Sequence, residues 1–177
     1  SEMCIRDSFG GGSESRARRA SFSHRRSIMS QKYVQPLRIR FSHCDPAGIV
    51  YHPHYFTILN NLMEDFWRDV LGYGYEGMTE RRMGFPVVGV HVDFCYPSRV
   101  GDECVMKCWI EHLGTSSIRF AMTIEGVDGT LRLQGTETVV CVKPSASGDG
   151  LESLPFSEET RAKLLPYFID SKLTVRA

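Results

Sequence analysis

Apolar residues recur at every second position in one short segment near residue 40 and in four segments of the second half of the chain. In the short segment, Leu37, Ile39 and Phe41 alternate with polar residues. A period of two is typical of a β-strand that buries one face. The later alternating segments lie at residues 88–96, 104–110, 118–124 and 131–142. The pattern therefore predicts five strands, and Gly135 in the last one predicts a bulge.

A helical period replaces the alternation between residues 55 and 70. Its apolar positions are Tyr55, Ile58, Leu59, Leu62, Met63, Phe66, Trp67 and Val70. Pro53 suits a first helical turn, and Gly72 is a typical residue at a helix end. So broad an apolar face favours a helix around which a sheet is wrapped. One strand, one long helix and four consecutive antiparallel strands predict an α+β fold.

The length of the chain, 177 residues, suits a single domain, which the pattern places at residues 33–145. Residues 1–30 are rich in Ser, Gly and Arg without apolar periodicity, and we expect them to be a disordered or non-native N-terminal extension. Met29 offers a natural start immediately before the patterned sequence. Residues 146–177 predict a loop and a C-terminal helical extension, whose helix lies near residues 158–168.

Composition narrows the possible partners. The chain has 21 basic and 21 acidic side chains, so its net charge gives no reason to expect nucleic acid or a membrane as a partner. It also lacks an apolar run of the roughly 18 residues that a membrane span requires. The six cysteines show no paired CxxC spacing, and four of them lie in apolar stretches. We interpret them as reduced residues of a cytoplasmic protein.

The densest candidate chemistry lies between the first strand and the helix. Asp45 ends that strand in a turn shaped by Pro46 and Gly48. A carboxylate held near a helix N-terminus can attack a carbonyl, or deprotonate a water beside it, while free backbone N–H groups bind the developing oxyanion. This pairing is the minimum equipment for acyl transfer. The same spacing also suits an Asp45 that only caps its own turn.

Three other roles are open to residues of this region. His43, Cys44, His52 and His54 carry the donor types of a zinc site, although two of these histidines bracket a proline and need not converge. Cys44 could be a nucleophile with a histidine base. Glu64 on the helix could face the site, but its position on the polar side favours simple solvation.

The chain resembles the 4-hydroxybenzoyl-coenzyme A thioesterase family in this region. The resemblance rests on Asp-Pro-Ala-Gly-Ile-Val at residues 45–50, followed by Tyr51, His52, Pro53 and Tyr55, and it extends over roughly residues 35–145. It implies the hot-dog fold, in which a five-stranded antiparallel sheet wraps around one long central helix. It also implies dimers that pair two sheets edge to edge, and no metal.

The resemblance assigns roles to several residues. It implies that Asp45 is the catalytic carboxylate, as nucleophile or as general base, and that the backbone N–H at His52 polarises the substrate carbonyl. Both routes need an ionised Asp45, which the positive end of the helix dipole favours. We expect the acyl pocket to be lined by Tyr51, Tyr55, Phe85 and Pro86, at an interface between subunits.

Coenzyme A contacts are expected at the turn that follows the third strand. There the resemblance points to Ser116 and Ser117, and Lys107 and Arg119 could add charge for the phosphates. The turn itself, residues 113–115, carries no charge, whereas the family has a more basic turn. This departure leaves the mode of nucleotide binding open.

The resulting prediction is a cytoplasmic acyl-CoA thioesterase, a homodimer or homotetramer, that hydrolyses an acyl- or aroyl-coenzyme A to a free acid and coenzyme A. It needs no cofactor, because coenzyme A is part of the substrate. Two alternatives stay open at this point: a thioesterase acting on acyl carrier protein, and a non-catalytic acyl-binding protein of the same fold.

Overall fold

The computed structural model describes residues 30–170, so all but the last residue of the predicted N-terminal extension lies outside the described part. Its strands are β1 (Tyr33–Arg38), β2 (Val87–Phe94), β3 (Glu103–Leu113), β4 (Ser117–Gly126), β5 (Leu131–Val140), β6 (Val142–Pro144) and β7 (Leu151–Ser153). Its α-helices are α1 (His52–Phe66), α2 (Tyr75–Glu80) and α3 (Glu158–Leu164). Over these residues, no helix is both long and apolar enough to cross a membrane.

Five strands form one antiparallel sheet in the order β1-β3-β4-β5-β2. The core lies between this sheet and α1, where the wide apolar face of the helix is buried. Alternate residues of β3 and β4 point into the core, as their period of two requires. The prediction of a hot-dog fold is confirmed.

The long helix begins and ends close to the predicted positions. Pro53 lies in its first turn, and Tyr51 is the N-cap in an extended conformation. After Phe66 the chain continues through a π-helical turn, Trp67–Leu71, and stops at Gly72 with φ of 84°. This left-handed conformation costs glycine little, which explains the stop.

Two details of the strand predictions are wrong. Phe41 was expected to bury its side chain in the first strand, but it is 86% exposed, because β1 ends at Arg38 and a 3-10 turn follows at Phe41–His43. Gly135 does not form a bulge, since it keeps regular register with Val92 and with Met122. A Cβ at residue 135 would clash with the carbonyl oxygen of His91, so close approach of the backbones accounts for this glycine.

Beyond the predicted domain limit, the chain packs back onto the sheet. Strands β6 and β7 form a small hairpin that the sequence pattern did not predict. Helix α3 is capped at its N-terminus by Ser157, whose side chain accepts the N–H of Thr160. The Arg161 guanidinium donates to the carbonyl oxygen of Gly114 at 2.5 Å, and Lys163 donates to that of Leu71 at 3.1 Å. The extension therefore covers the β3–β4 turn and the end of α1.

Strand β2 is an edge strand of the sheet. Its residues Val88, Val90 and Phe94 are 61%, 47% and 51% exposed. Val90 and Phe94 lie on the helix-facing side, because their register partners on β5 are Glu137 and Leu133, whereas Val88 lies at a register shift between Val87 and Gly89. An apolar edge of this length is a template for pairing with another strand. It also runs beside the candidate site.

Candidate active site

Asp45 lies in a short loop whose hydrogen bonds fix its carboxylate. Its Oδ1 accepts the N–H of Ala47 at 2.9 Å, and its carbonyl oxygen accepts the N–H of Gly48 at 2.9 Å. Gly48 has φ of 75°, a conformation that other residues rarely adopt, which explains the glycine. The bond to Ala47 is the turn-capping hydrogen bond that the spacing of Asp45, Pro46 and Gly48 also suited. It occupies one carboxylate oxygen, and no hydrogen bond joins the other oxygen, Oδ2, to any residue of the described chain.

The start of α1 is clamped against this loop. The N–H of Tyr51 donates to the carbonyl oxygen of His43 at 3.0 Å, two residues before Asp45. The backbone N–H of His54 donates to the carbonyl oxygen of Tyr51, and Pro53 has no backbone N–H. The N–H of His52, the first of the helix, has no acceptor within the helix. A carbonyl bound at this helix start meets an open N–H and the positive end of the helix dipole, and the loop that leads into the helix carries the fixed carboxylate of Asp45.

A cavity of about 260 Å³ opens beside this helix start. It is lined by Ile49, Val50, His52, Tyr55, Phe94, Cys95, Tyr96 and Pro97. The ring of Phe94 lies 5.5 Å from that of Tyr55 and 6.4 Å from that of His52. Burial raises the pKa of the Tyr55 phenol, which is therefore a neutral hydroxyl at neutral pH. The walls suit an apolar or aromatic group with few polar contacts.

The histidines and the cysteine of the loop have local partners. The Nδ1 of His43 accepts the N–H of Arg40 at 3.1 Å, and burial lowers the pKa of His43, so its ring is neutral. The Nδ1 of His54 lies 2.9 Å from the carbonyl oxygen of His43. Burial raises the pKa of the Cys44 thiol, and nearby Asp45 adds to this effect. Within residues 30–170, no three His, Cys, Asp or Glu side chains are grouped as ligands of one metal ion.

The residues predicted for the acyl pocket fall into two groups. Tyr55 lines the cavity at the start of α1, and the half-exposed ring of Tyr51 lies 5.2 Å from that of His52, which also lines it. Phe85 and Pro86 instead line a second cavity, of about 530 Å³, beside the start of β2. The two groups therefore lie at opposite ends of β2 within one protomer.

The residues predicted for coenzyme A also lie at the other end of the sheet from Asp45 in the same protomer. Asp45 follows β1 at the end of the sheet where Arg38 pairs with Glu103, the first residue of β3, whereas Ser116 and Ser117 follow the last residue of β3. Lys107 and Arg119 are already in ion pairs with Glu125 and Glu111. Glu64 pairs with Arg68 at 3.5 Å, as expected for a solvated polar face.

Sequence reasoning missed the wall formed by Phe94, Cys95, Tyr96 and Pro97. The alternation of β2 did place Phe94 on the apolar face of that strand. It could not show that the end of β2 lies next to the start of α1, since this depends on the register between β2 and β5. The sequence nevertheless carried a signal, since two aromatic residues, Phe94 and Tyr96, are close together where the strand stops before Pro97.

The fold and this site together define a thioester hydrolase of the hot-dog class. A protein-family comparison agrees: residues 39–164 match the Thioesterase-like superfamily. Because the match spans more than half of the chain, the chain belongs to this family.

Individual relatives are similar over most of their lengths. The acyl-CoA thioester hydrolase YbgC of Escherichia coli O6:H1 is 25% identical over 109 residues, which are 62% of this chain and 81% of YbgC. The dynemicin thioesterase structure has a TM-score of 0.72 at 24% identity and covers 80% of this chain and 100% of its own. A 4-hydroxybenzoyl CoA thioesterase mutant complexed with 4-hydroxybenzoyl CoA has a TM-score of 0.67 at 20% identity and covers 76% and 99%. The two structures establish the shared fold.

Proposed function

We propose that the protein hydrolyses an acyl- or aroyl-coenzyme A, with Asp45 as its catalytic carboxylate. The observation that carries the proposal is the carboxylate of Asp45, held by Ala47 in the loop that leads into α1, whose first N–H, at His52, has no acceptor within the helix. The apolar and aromatic cavity that His52 lines supports an acyl or aroyl group. The substrate named for YbgC, and the one bound to the 4-hydroxybenzoyl CoA thioesterase, are coenzyme A thioesters.

The reaction follows from this geometry. Either Asp45 takes a proton from a water that adds to the thioester carbonyl, or its free oxygen adds directly and water later cleaves the anhydride. In both routes the negative charge that develops on the carbonyl oxygen is stabilised by the N–H of His52 and the helix dipole. The carbon–sulfur bond then breaks, and the thiolate leaves and takes up a proton. The products are a carboxylic acid and coenzyme A.

The exposed edge of β2 supports a homodimer as the active form. Two copies of β2 can pair antiparallel about a twofold axis, which would cover Val88 and Val90 and extend the sheet. Such pairing brings the Phe94 end of one strand to the Val87 end of the other. The two groups of pocket residues would then meet across the interface. In a tetramer, each β2 edge would already be paired within a dimer, so two dimers would associate through another surface.

Five free thiols in the described chain support a reducing compartment, and we propose the cytoplasm. Three of these cysteines are buried, which agrees with a role as small apolar core residues.

The Asp45→Asn variant tests the proposed function. Thiol release would be measured with a panel of aroyl-, short-chain and long-chain acyl-coenzyme A, and binding by calorimetry. We expect turnover to fall by at least about 100-fold with binding retained, because the amide can neither attack nor accept a proton. Asp65→Asn, an exposed change on α1, is the matched control and should leave turnover unchanged.

Other outcomes separate the alternatives. Binding without turnover by the unaltered protein across the whole panel would favour a non-catalytic acyl-binding protein. Turnover of acyl carrier protein thioesters alone would favour the carrier-protein thioesterase. Unchanged turnover in Asp45→Asn would overturn the assignment of Asp45.

A further inference from the structure

The turn expected to contact the coenzyme is covered by the chain's own C-terminal extension. The N–H of Phe156 donates to the carbonyl oxygen of Thr115 at 2.9 Å, and that of Cys141 to Ser116 at 2.7 Å. Arg161, the nearest cation, already donates to Gly114. Because the turn carries no charge of its own, it offers little to bind phosphates. The phosphates of a coenzyme A substrate need cations elsewhere.

Two cations stand at the second cavity, beside the start of β2. This cavity of about 530 Å³ is walled by α2, by the loop that leads into β2, and by the β6–β7 hairpin. Its apolar lining includes Met83, Phe85, Pro86, Val142 and Leu151. The cations in its lining are Arg82 and Lys143. An apolar slot with positive charge suits a long, mostly uncharged arm that ends in phosphates.

The backbone at Arg82 is held in an unusual conformation. Its φ of 51° is the one positive value among non-glycine residues of the described chain. The conformation is fixed by hydrogen bonds from Arg82 to the carbonyl oxygen of Thr79 and from Met83 to that of Met78. These two bonds are those of the left-handed turn that commonly ends a helix, here α2, at a position where glycine is the usual residue. Nothing in the packing requires arginine there, since its side chain is exposed.

Both cations are available to a ligand. Arg82 has no ion pair with any residue between 30 and 170. Lys143 pairs with Glu152 at 3.8 Å, with both side chains about half exposed, and such a pair contributes little to stability. A phosphate can therefore compete with Glu152 for Lys143.

We propose that Arg82 and Lys143 bind the phosphates of a coenzyme A thioester whose acyl group lies at the partner subunit's Asp45. The inference rests on the proposed function and on the dimer through β2. Antiparallel pairing of the two β2 strands places this cavity next to the Phe94 end of the partner. The pantetheine arm crosses the interface along the apolar lining, and the phosphates reach the two cations. Each site thus takes its carboxylate from one protomer and its phosphate-binding charges from the other.

The test compares two substrates that share one acyl group: the acyl-coenzyme A and the phosphate-free acyl-pantetheine. In Arg82→Gln/Lys143→Gln we expect the KM for acyl-coenzyme A to rise at least about tenfold with kcat nearly unchanged, because charge-assisted hydrogen bonds to the phosphates are lost. The kinetic constants for acyl-pantetheine should not change. Added salt should weaken acyl-coenzyme A binding to the unaltered protein more than to the variant.

Two further variants make the result specific. Arg38→Gln, an exposed cation on β1 at the opposite edge of the sheet, is the matched control and should leave both substrates unaffected. Arg82→Lys keeps the charge and should recover part of the lost affinity. Thermal unfolding of every variant shows whether the change at residue 82 alters the fold.

The outcomes distinguish this inference from the proposed function. If the unaltered protein hydrolyses both substrates and the double variant affects both equally, or neither, only the phosphate site is overturned. If Arg119→Gln raised the KM for acyl-coenzyme A and the double variant did not, the phosphates would bind at the β3–β4 turn and this inference would be overturned. If the unaltered protein cleaves neither substrate, the proposed function itself fails.

Discussion

The indole of Trp67 and the ring of Phe85 are stacked, with centroids 4.3 Å apart and ring planes at 7°. Trp67 ends the long helix, whereas Phe85 lies just before β2 and lines the cavity that holds Arg82 and Lys143. The edge of Phe120 on β4 approaches the same indole at 5.5 Å. One aromatic contact thus joins the helix, the sheet and the wall of the proposed coenzyme site.

Truncating Phe85 should lower the stability of the fold, because its ring joins the helix to the sheet. We expect Phe85→Ala to lower the free energy of unfolding by about 3–5 kcal/mol, because a buried aromatic side chain leaves a cavity. Urea unfolding followed by tryptophan fluorescence measures the loss. Phe94→Ala removes the same ring from an exposed position and is the matched control, with a much smaller loss of stability. Equal losses in the two variants would contradict the packing described here.

The pairing of two β2 strands makes a prediction about size and activity together. Val90→Lys places a charge in the middle of the exposed edge, where a paired strand would bury it. We expect the variant to sediment as a monomer and to lose most turnover, since each site draws on both protomers. Val127→Lys changes an even more exposed valine, in the β4–β5 turn, and should remain a dimer. A monomeric variant with full turnover would exclude the shared site.

Cys44 lies next to Asp45 in the chain, and either residue could be assigned as the nucleophile. The two assignments predict different kcat values for the Cys44→Ala variant. Burial raises the pKa of the Cys44 thiol, so little thiolate is present at neutral pH. Cys44→Ala should therefore retain most of the kcat for thioester hydrolysis, in contrast to Asp45→Asn. If Cys44→Ala unfolds at the same temperature as the unaltered protein but has lost its turnover, Cys44 and not Asp45 would be the nucleophile.

The sequence could predict the parts of the site that are contiguous in the chain. Asp45, its turn and the first N–H of α1 follow one another within eight residues, so local geometry alone brings them together. Phe94 and Tyr55 are far apart in the chain, and their contact depends on strand register. Arg82 gives no sequence signal, because its left-handed backbone arises where the short helix α2 ends against the loop to β2. The sequence does single out Gly135, but the reason for a glycine there is the neighbouring backbone of β2 and not a bulge in the strand.

Glu137 provides a pH-dependent test of the helix–sheet interface. Its side chain lies on the core side of β5, since its register partners are Phe120 on β4 and Val90 on β2. Burial raises the pKa of this carboxyl, and among residues 30–170 no basic side chain pairs with it. Tyr75 and Cys108 are titratable neighbours of Glu137. Burial and Glu137 raise the pKa of each, so both stay neutral.

The sign of the effect follows from the two pKa values of Glu137. Between its ordinary value in the unfolded chain and its raised value in the fold, the folded protein holds a proton that the unfolded chain has released. The contribution of Glu137 to stability therefore falls as pH rises through this window and levels off above the raised pKa. Glu137→Gln stays neutral at every pH, so its free energy of unfolding relative to the unaltered protein should increase from pH 4 to pH 8. Denaturant unfolding at several pH values measures this difference. The opposite effects of Glu125 and Glu152, whose pKa values are lowered in the fold, cancel in it because both carboxyls are present in both proteins. Glu80→Gln, an exposed change on α2, should give a flat difference; a flat profile for Glu137→Gln as well would show that its carboxyl is solvated in the fold.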